Sequence, residues 1–520
     1  MGSFVSGLDA TVVNVALPAI QRDLGGGLAG QQWVSNAYLL VLGSLILVGG
    51  SLSDVFGSRR VFSVGVAGFG AVSLVCALAP SIGVLVAGRA LQGLFGALLT
   101  PSALAIIVAA FPAGSERSKA IGSWTAWSGI SFVIGPLAGG YLVDATSWRW
   151  IFALNVPFVA ITLLLVAAAL PKQERGSAHA PVDYLGAVLC ALGLAGPVFA
   201  LIRQPELGWG APGVAVPALA GVGLLTAFLL HEARTPHPML LLSLFRRRNF
   251  SIANIETLSM YGGLSIMLFV LVLFLQQVAG YDALHAGLAT MPITVVMFFL
   301  SRRFGAMADR YGPRLFMGAG PLVAAAGLLA LQRVGARFDY WTHLLPALIV
   351  FAIGLSMTVA PLTATVLADA DDHNAGIASG VNNAIARVAG LLAVAALGAV
   401  VASSFGSAID SRLAGRHLSP TARQAIASAK KQTLTRADTH GLNASEAPAV
   451  AGAVEHASVR AFHTGLGIAA ALVGLGGLLG LAGIRNPSKD PHCVDCAGGQ
   501  WAGAPVAAGG TEEHEVVQVA

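Results

Sequence analysis

The feature that most constrains this chain is a succession of apolar runs, each about as long as a membrane is thick. A helix of roughly 17 to 25 apolar residues crosses the hydrocarbon core of a bilayer. Fourteen such runs lie near residues 1–20, 33–53, 61–80, 83–110, 120–143, 150–170, 185–203, 212–230, 251–277, 283–301, 315–332, 343–367, 376–403 and 463–484. Because lipid offers no partners for backbone polar groups, these runs predict an all-α polytopic membrane protein with fourteen transmembrane helices.

Composition excludes the main soluble classes. The chain is 56% hydrophobic and 11% charged, so it has too few charged residues to cover a soluble globule of 520 residues. Its net charge of +5 comes from basic residues spread over short loops, which argues against nucleic-acid binding. Cys76 and Cys190 lie inside apolar runs, and Cys493 and Cys496 lie in the tail, so no disulfide framework is indicated. We expect no enzyme.

A charged turn occurs twice at matching places. The stretch GSLSDVFGSRR, between the second and third runs, returns in weaker form as FGAMADRYGPRLF between the tenth and eleventh. The shared positions are Gly50, Asp54, Gly57, Arg59 and Arg60 in the first copy, and Gly305, Asp309, Arg310, Gly312 and Arg314 in the second. Such a turn suits a tight cytoplasmic connection in which Asp54 caps a helix. Two copies predict a duplicated fold with two related halves.

The runs and loops divide the chain into four parts. We expect an N-terminal six-helix half at 1–170, two inserted helices with cytoplasmic linkers at 171–250, a C-terminal six-helix half at 251–484 with a long outer loop at 404–462, and a disordered cytoplasmic tail at 485–520. In the outer loop, Ser419-Pro420 predicts the N-cap and first turn of a short surface helix. Most basic loop residues fall on the side of Arg59 and Arg60, which predicts cytoplasmic termini and an inner (plasma) membrane location.

Asp9 is the most informative residue of the first run. An acid near the middle of a membrane costs roughly 2.5 to 3.5 kcal/mol on insertion scales, so it needs a partner or a task. Arg89 in the fourth run, with Gln92 one turn later, is the expected counter-charge. The alternative is that Arg89 extends to the outer surface. Only eight residues precede Asp9, so whether Met1 is the true start stays open.

Further polar residues lie in the first and ninth runs. Asn14 lies about 140° around the first helix from Asp9, so we expect that helix to be enclosed by protein. Glu256 in the ninth run, beside Asn254, predicts a second titratable site in a central cavity. The alternative is an interfacial acid that pairs with the cytoplasmic cluster Arg246–Arg248.

The fifth run carries the sequence GISFVIGPLAGG. Its informative positions are Gly129, Gly135, Pro136, Gly139 and Gly140. A proline inside a helix removes a backbone hydrogen bond, and glycines let neighbouring helices approach closely. The run therefore predicts a kinked and tightly packed helix.

These motifs resemble the major facilitator superfamily. The turn at 50–60 resembles its loop between helices 2 and 3, Arg89 and Gln92 fit its fourth-helix motif R-x-x-Q-G, and the fifth run resembles the antiporter motif of its exporters. The run LDATVVNVALPAI resembles the first helix of the 14-helix drug:proton antiporter family, in the bacterial multidrug-efflux branch. The thirteenth run resembles that family at Gly380, Asn383 and Arg387. The resemblance implies a major facilitator fold, with two six-helix halves and two inserted helices.

The resemblance also implies a function. We expect a proton-coupled efflux transporter that exports lipophilic or amphiphilic drugs by drug:proton antiport, with the turns at Asp54 and Asp309 stabilising the outward-facing state. A proton-coupled symporter, or an exporter of one metabolite, is the alternative. A non-transporting receptor or scaffold would not need Asp9 and Arg89 inside the bilayer. The expected partners are a small molecule, protons and lipid, whereas a periplasmic adaptor and an outer-membrane channel stay open.

Two other chemistries are disfavoured. The tail sequence HCVDC, residues 492–496, has a lone C-x-x-C with one histidine and lacks the second ligand pair of a metal site. No phosphate-binding loop G-x-x-x-x-G-K-[ST] occurs in the chain, so ATP-driven pumping is not expected. We therefore expect no metal and no cofactor, with the proton gradient as the energy source.

Overall fold

A computed structural model describes residues 2–111, 115–169, 183–236, 238–368 and 375–486. These residues form helices and turns, with no strand among them. Met1–Ile484 forms one unit and Arg485–Ala520 a second one. The predicted disordered tail therefore lies outside the described residues, apart from Arg485 and Asn486, and so does the cysteine pair at 493 and 496.

The helices follow the apolar runs. The N-terminal half contains α1 (Gly2–Leu24), α2 (Gly27–Phe56), α3 (Ser58–Ala77), α4 (Ile82–Ala110), α5 (Ser115–Ala145), α6 (Arg149–Ala153) and α7 (Asn155–Ala169). Two inserted helices follow, α8 (Tyr184–Leu207) and α9 (Pro212–Glu232). The C-terminal half contains α10 (Arg248–Leu273), α11 (Ala283–Tyr311), α12 (Pro313–Ala330), α13 (Leu345–Ala368), α14 (Ala375–Leu413), α15 (Pro420–Gln432) and α16 (Ala447–Gly483).

Twelve helical segments of the described chain are long and apolar enough to cross a membrane. Some of these segments combine more than one element: α6 and α7 join into one segment, and α10 continues through a π-helical turn at Phe274–Val278. The helices α2 and α5, of 30 and 31 residues, are not among the twelve. The predicted all-helical membrane architecture is confirmed.

The two halves meet along two seams. Within the N-terminal half α2 packs on α4 and α1 on α5, and within the C-terminal half α10 and α12 pack on α16. Between the halves, α2 meets α14 and α5 meets α11. The inserted helix α8 contacts both α2 and α14, through a cluster that includes Leu40, Val198 and Leu391. Helix α8 thus lies against the seam between α2 and α14.

The two copies of the charged turn have the same backbone geometry. Gly57 alone joins α2 to α3 with φ 87°, and Gly312 alone joins α11 to α12 with φ 91°. Positive φ favours glycine, because other residues place a Cβ there at a steric cost. The predicted helix cap at Asp54 stays a prediction: Asp54 lies in the last turn of α2, and the N-cap position of α3 is Gly57. The side chain of Asp54 lies outside the described residues.

The remaining residues of the turns anchor neighbouring helices or stay at the surface. Gly50 of α2 faces Pro101 of α4, and Gly305 of α11 faces Ala360 of α13, which are equivalent helices of the two halves. Arg314 donates from Nε to the carbonyl of Leu481, at 2.7 Å. The side chains of Arg60 and Arg310 are exposed and that of Arg59 is partly exposed. Both copies therefore form equivalent one-residue turns at the same end of their halves.

The segment 404–462 is more helical than a loop. Helix α14 continues to Leu413 and α16 begins at Ala447, so the connection proper is 414–446. Inside it, Ser419 Oγ accepts a hydrogen bond from the amide of Ala422 at 3.2 Å, and α15 begins at Pro420. The predicted N-cap and surface helix are confirmed.

Candidate functional site

Asp9 and Arg89 form a buried ion pair in the N-terminal half. Arg89 Nη1 donates to Asp9 Oδ2, which joins α4 to α1. Asp9 is 0% exposed and Arg89 1%, so Arg89 does not extend to the surface. The predicted counter-charge is in place.

Arg89 is also held by uncharged groups. Its Nη1 donates to Gln92 Oε1 at 2.8 Å, and its Nε donates to the carbonyl of Val34 at 3.1 Å. The guanidinium carbon lies 4.4 Å from the ring centroid of Tyr38, where the face of the ring attracts a cation. The phenol of Tyr38 in turn bonds with the hydroxyl of Ser6 at 2.8 Å. Helix α2 therefore helps to fix the cation.

The second oxygen of Asp9 accepts two amide donors. Asn155 Nδ2 donates to Asp9 Oδ1 at 3.0 Å, and Gln92 Nε2 approaches the same oxygen at 3.4 Å. Gln92 Nε2 also donates to Ser73 Oγ at 2.8 Å. Donors to both oxygens stabilise the charged carboxylate. The sequence analysis missed Asn155 and Ser73, although an asparagine in the apolar run of α7 was the available signal.

Asn14 does not join this network. Its Nδ2 lies 3.5 Å from the carbonyl of Ala10 in its own helix, and the residue is partly exposed. Most of α1 is buried, with Leu8, Val12 and Ala16 all 0% exposed. The expected enclosure of the first helix is confirmed.

Glu256 lies inside the C-terminal half. It is 0% exposed, and neither carboxylate oxygen has a hydrogen-bond partner among the described residues. Its Oε2 lies 2.9 Å from the point where a Cβ on Gly480 of α16 would stand. Arg248, one member of the predicted interfacial cluster, instead donates to the carbonyls of Gly483 and Ala482 at 2.7 and 3.0 Å. The structure thus places Glu256 against α16 and apart from the Asp9 pair.

Asn254 belongs to a different contact from Glu256. Its Oδ1 accepts a hydrogen bond from Asn382 Nδ2 of α14 at 3.1 Å, and the same amide donates to Thr257 Oγ1 at 2.7 Å. Asn383, the motif residue, is exposed and donates to the carbonyl of Ser379 in its own helix. The interhelical contact of α14 is therefore made by the residue next to the predicted one.

The fifth-run glycines hold α5 close to two helices. A Cβ on Gly139 would collide with Val12 of α1, and one on Gly135 would collide with Thr11. A Cβ on Gly140 would lie 2.5 Å from the Cα of Leu284 in α11. The predicted tight packing is confirmed. Helix α5 continues through Pro136, and the surroundings of Gly129 lie outside the described side chains.

The halves are joined near the end of the molecule where α1 terminates, here called the Leu24 end. Asp144 of α5 accepts the amides of Ala283 and Leu284 at 3.1 and 2.7 Å, and so caps the start of α11. Gln276 Nε2 donates to the carbonyl of Val15 at 2.8 Å. The sequence analysis missed these contacts, because they depend on how the halves are docked. They join the two halves at the Leu24 end.

Comparison with known proteins agrees with this architecture. The family model of the Major Facilitator Superfamily matches residues 1–394. The chain resembles a solved bacterial homologue of the human lysosomal transporter Spinster, in an inward-facing and occupied conformation, with a TM-score of 0.63 at 15% identity over 94% of this chain and 97% of that one. This likeness supports the fold alone.

Relatives in sequence carry resistance names. A puromycin resistance protein of Streptomyces alboniger is 38% identical over 76% of this chain and 78% of its own length. A multidrug resistance protein, Stp, of Mycobacterium tuberculosis is 32% identical over 82% of this chain and 79% of its own. The family match covers well over half of the chain. The chain therefore belongs to the Major Facilitator Superfamily, and it is a multi-pass membrane transporter and not an enzyme.

Proposed function

We propose that the protein exports lipophilic or amphiphilic compounds in exchange for protons. The observation that carries this proposal is the buried pair of Asp9 and Arg89, whose hydrogen bonds join four helices, α1, α2, α4 and α7. A charged pair in such a place is expensive to build and marks ion or proton pathways. The resistance names of the relatives favour export of toxic compounds. The proposal includes no cofactor.

The proposal includes fourteen membrane helices and cytoplasmic termini. Helices α2 and α5 are long enough to cross a bilayer and would add to the twelve apolar segments. With the basic turns at Gly57 and Gly312 in the cytoplasm, the Leu24 end faces outward. The contacts of Asp144 and Gln276 then close the outer side, so the cleft between the halves opens toward the cytoplasm.

Proton exchange at Asp9 is the proposed driving step. Protonation removes the negative charge, which weakens the bond to Arg89 and leaves the guanidinium without its counter-ion. Rocking of the two halves against each other exposes the site to one side of the membrane at a time. The change from the inward-facing to the outward-facing state carries a substrate outward in the cleft. The return change carries a proton inward.

Helix α5 is the proposed link between Asp9 and the opposite half. Thr11 and Val12, close to Asp9 in α1, pack without spare room on Gly135 and Gly139 of α5. The next residue, Gly140, packs on Leu284 of α11. A shift of α1 on protonation therefore moves α5, and through it the seam with α11, because close-packed helices transmit displacement.

The test is gradient-driven transport in proteoliposomes that contain the purified full-length chain. We expect wild-type protein to move ethidium, a lipophilic cation, or phenylnaphthylamine, a neutral aromatic amine, only when a pH gradient is imposed. Asp9→Asn should reduce this movement to the level of empty vesicles. Glu455→Gln, which removes an exposed carboxylate from α16, is the matched control and should transport normally. Gradient-driven movement by Asp9→Asn at the wild-type rate would remove Asp9 from the mechanism.

The direction of coupling separates antiport from symport. Antiport predicts that the probe moves against the direction of proton flow, and that a reversed gradient reverses probe movement. Movement of the probe together with protons would establish the symport alternative.

A further inference from the structure

Arg387 is a charged residue of the membrane helices that the proposed mechanism does not use. It lies twelve residues after the start of α14, about 18 Å along the helix axis. Its side chain is partly exposed, and no hydrogen bond or ion pair joins it to another residue in the described part of the chain. A cation at that depth is expensive unless it meets water, an anion or a ligand.

A polar stripe connects Arg387 with one end of the protein. Ser379, Asn383 and Arg387 recur every four residues, so they share one face of α14. Arg387 is partly exposed, and Asn383, one turn nearer the start of the helix, is exposed. Because lipid does not solvate such a stripe, this face lines a water-accessible space.

The neighbours of Arg387 place it between the two halves. Its Cβ lies 3.3 Å from the point where a Cβ on Gly43 of α2 would stand, so the missing side chain of Gly43 leaves it room. Arg387 therefore lies at the seam between α2 and α14.

The other charged residues named inside the membrane helices are either paired with an opposite charge or buried within one half. Asp9 and Arg89 neutralise each other inside the N-terminal half, and Glu256 is buried against α16. Of the described intramembrane charges named so far, Arg387 is the one that has both solvent access and no partner. The seam thus presents a positive group whose charge no other described residue compensates.

We propose that Arg387 binds the acidic group of amphiphilic substrates, so that the cleft accepts aromatic compounds carrying a carboxylate, sulfonate or phenolate. This inference rests on the proposed export function and adds its substrate class. A guanidinium bonds a planar oxyanion through two parallel N–H groups, and the interaction gains strength away from bulk water. The apolar body of the substrate would lie along the seam between α2 and α14.

Binding and transport are measured separately, with two probes that share one skeleton. Anilinonaphthalene sulfonate carries the anion, and phenylnaphthylamine lacks it. Binding to the full-length chain in lipid nanodiscs is measured by equilibrium dialysis, with empty nanodiscs as the blank. We expect Arg387→Gln to weaken sulfonate binding about tenfold or more, as loss of a hydrogen bond to a charged group predicts, while amine binding changes less than about twofold. Arg387→Lys should retain part of the sulfonate binding.

The controls separate this inference from the export function. Arg412→Gln removes an exposed cation from the far end of α14 and should bind both probes as wild type does. Thermal unfolding identifies any variant that is misfolded. If Arg387→Gln is misfolded, Arg387→Lys replaces it as the test variant. Equal losses for both probes, or sulfonate binding that does not depend on residue 387, would overturn the inference even if the amine is exported. Sulfonate binding that depends on Arg387, without gradient-driven movement of either probe, would uphold the inference and overturn antiport.

Discussion

The two halves each bury one acid near the start of their first helix, and the two acids differ in every contact. Asp9 in α1 receives hydrogen bonds from Arg89, Asn155 and Gln92. Glu256 in α10 receives none from the described residues. Both are 0% exposed. The two halves therefore carry an acid at a similar position in their first helix, but the residues around Asp9 differ from those around Glu256.

The difference originates on the neighbouring helices. Helix α4 presents an arginine and a glutamine one turn apart to α1, whereas α16 presents Gly476 and Gly480 to Glu256. A charge at Asp9 is compensated, while a charge at Glu256 would lie in a nonpolar contact without a counter-ion. Of these two acids, only Asp9 has an ion pair that protonation would remove. A buried acid is informative about function when its neighbours are known.

The largest expected effect is the loss of stability caused by Arg89→Gln, which would leave Asp9 buried without its cation. We expect the free energy of unfolding to fall by about 3 to 5 kcal/mol, as when one partner of a buried ion pair is removed. The double variant Asp9→Asn with Arg89→Gln should recover most of the stability but not the transport. Denaturant unfolding in detergent measures both. A loss for Arg89→Gln no larger than that for Glu256→Gln would abolish the contrast between the two acids.

The next effect concerns the packing between α1 and α5. Gly139→Ala places a methyl group against Val12, which costs about 1 to 3 kcal/mol when a packed contact must move. We expect transport to fall about tenfold, and Val12→Ala in the same chain to restore much of it. Gly223→Ala in α9, where nothing lies within 4 Å, is the matched control. Normal transport by Gly139→Ala would remove α5 from the coupling route.

The sequence predicted features that depend on local pattern. The helical spans, the repeated turn, the N-cap at Ser419 and the partnership of Asp9 with Arg89 all follow from hydrophobic length, residue type and helical spacing. Such features depend on a few residues near one another in the chain, or on a charge that is too costly to leave unpaired.

The sequence did not predict features that depend on how helices rotate and dock. Asn382 and Asn383 are adjacent, and a 100° rotation of α14 decides which one reaches α10. Asn155 meets Asp9 because α7 packs beside α3 in the folded bundle. Each of these outcomes needs the tertiary arrangement, which hydropathy does not contain.

A smaller effect is expected for Glu256→Gln. The unfolding free energy should change by less than about 1 kcal/mol, because both side chains bury similar polar atoms without partners. Transport of a cationic dye and of a neutral drug at matched protein level should then change equally. A selective loss for the cationic dye would show that Glu256 reaches the substrate, and would make the two halves functionally alike.

The smallest effect concerns a third acid, outside the membrane spans. The amide and hydroxyl of Ser419 donate to Glu446 at 2.8 Å each, and these bonds hold the pKa of Glu446 below its usual range. A lowered pKa in the folded state means that the carboxylate stabilises the segment above the usual glutamate pKa of about 4.3, and that this stabilisation is lost as the pH falls through the lowered value.

We therefore expect the amides of α15 to exchange with solvent faster below about pH 4, after correction for the intrinsic rate, and those of α1 to be unaffected. Glu446→Gln should remove the pH dependence, while Glu455→Gln, an exposed acid without these bonds, should preserve it. Acid-dependent opening that persists in Glu446→Gln would assign the titration to another group. Opening that spreads to α1 would show that the 414–446 connection and the Asp9 site belong to one cooperative unit, because a local carboxylate would then be controlling a distant ion pair.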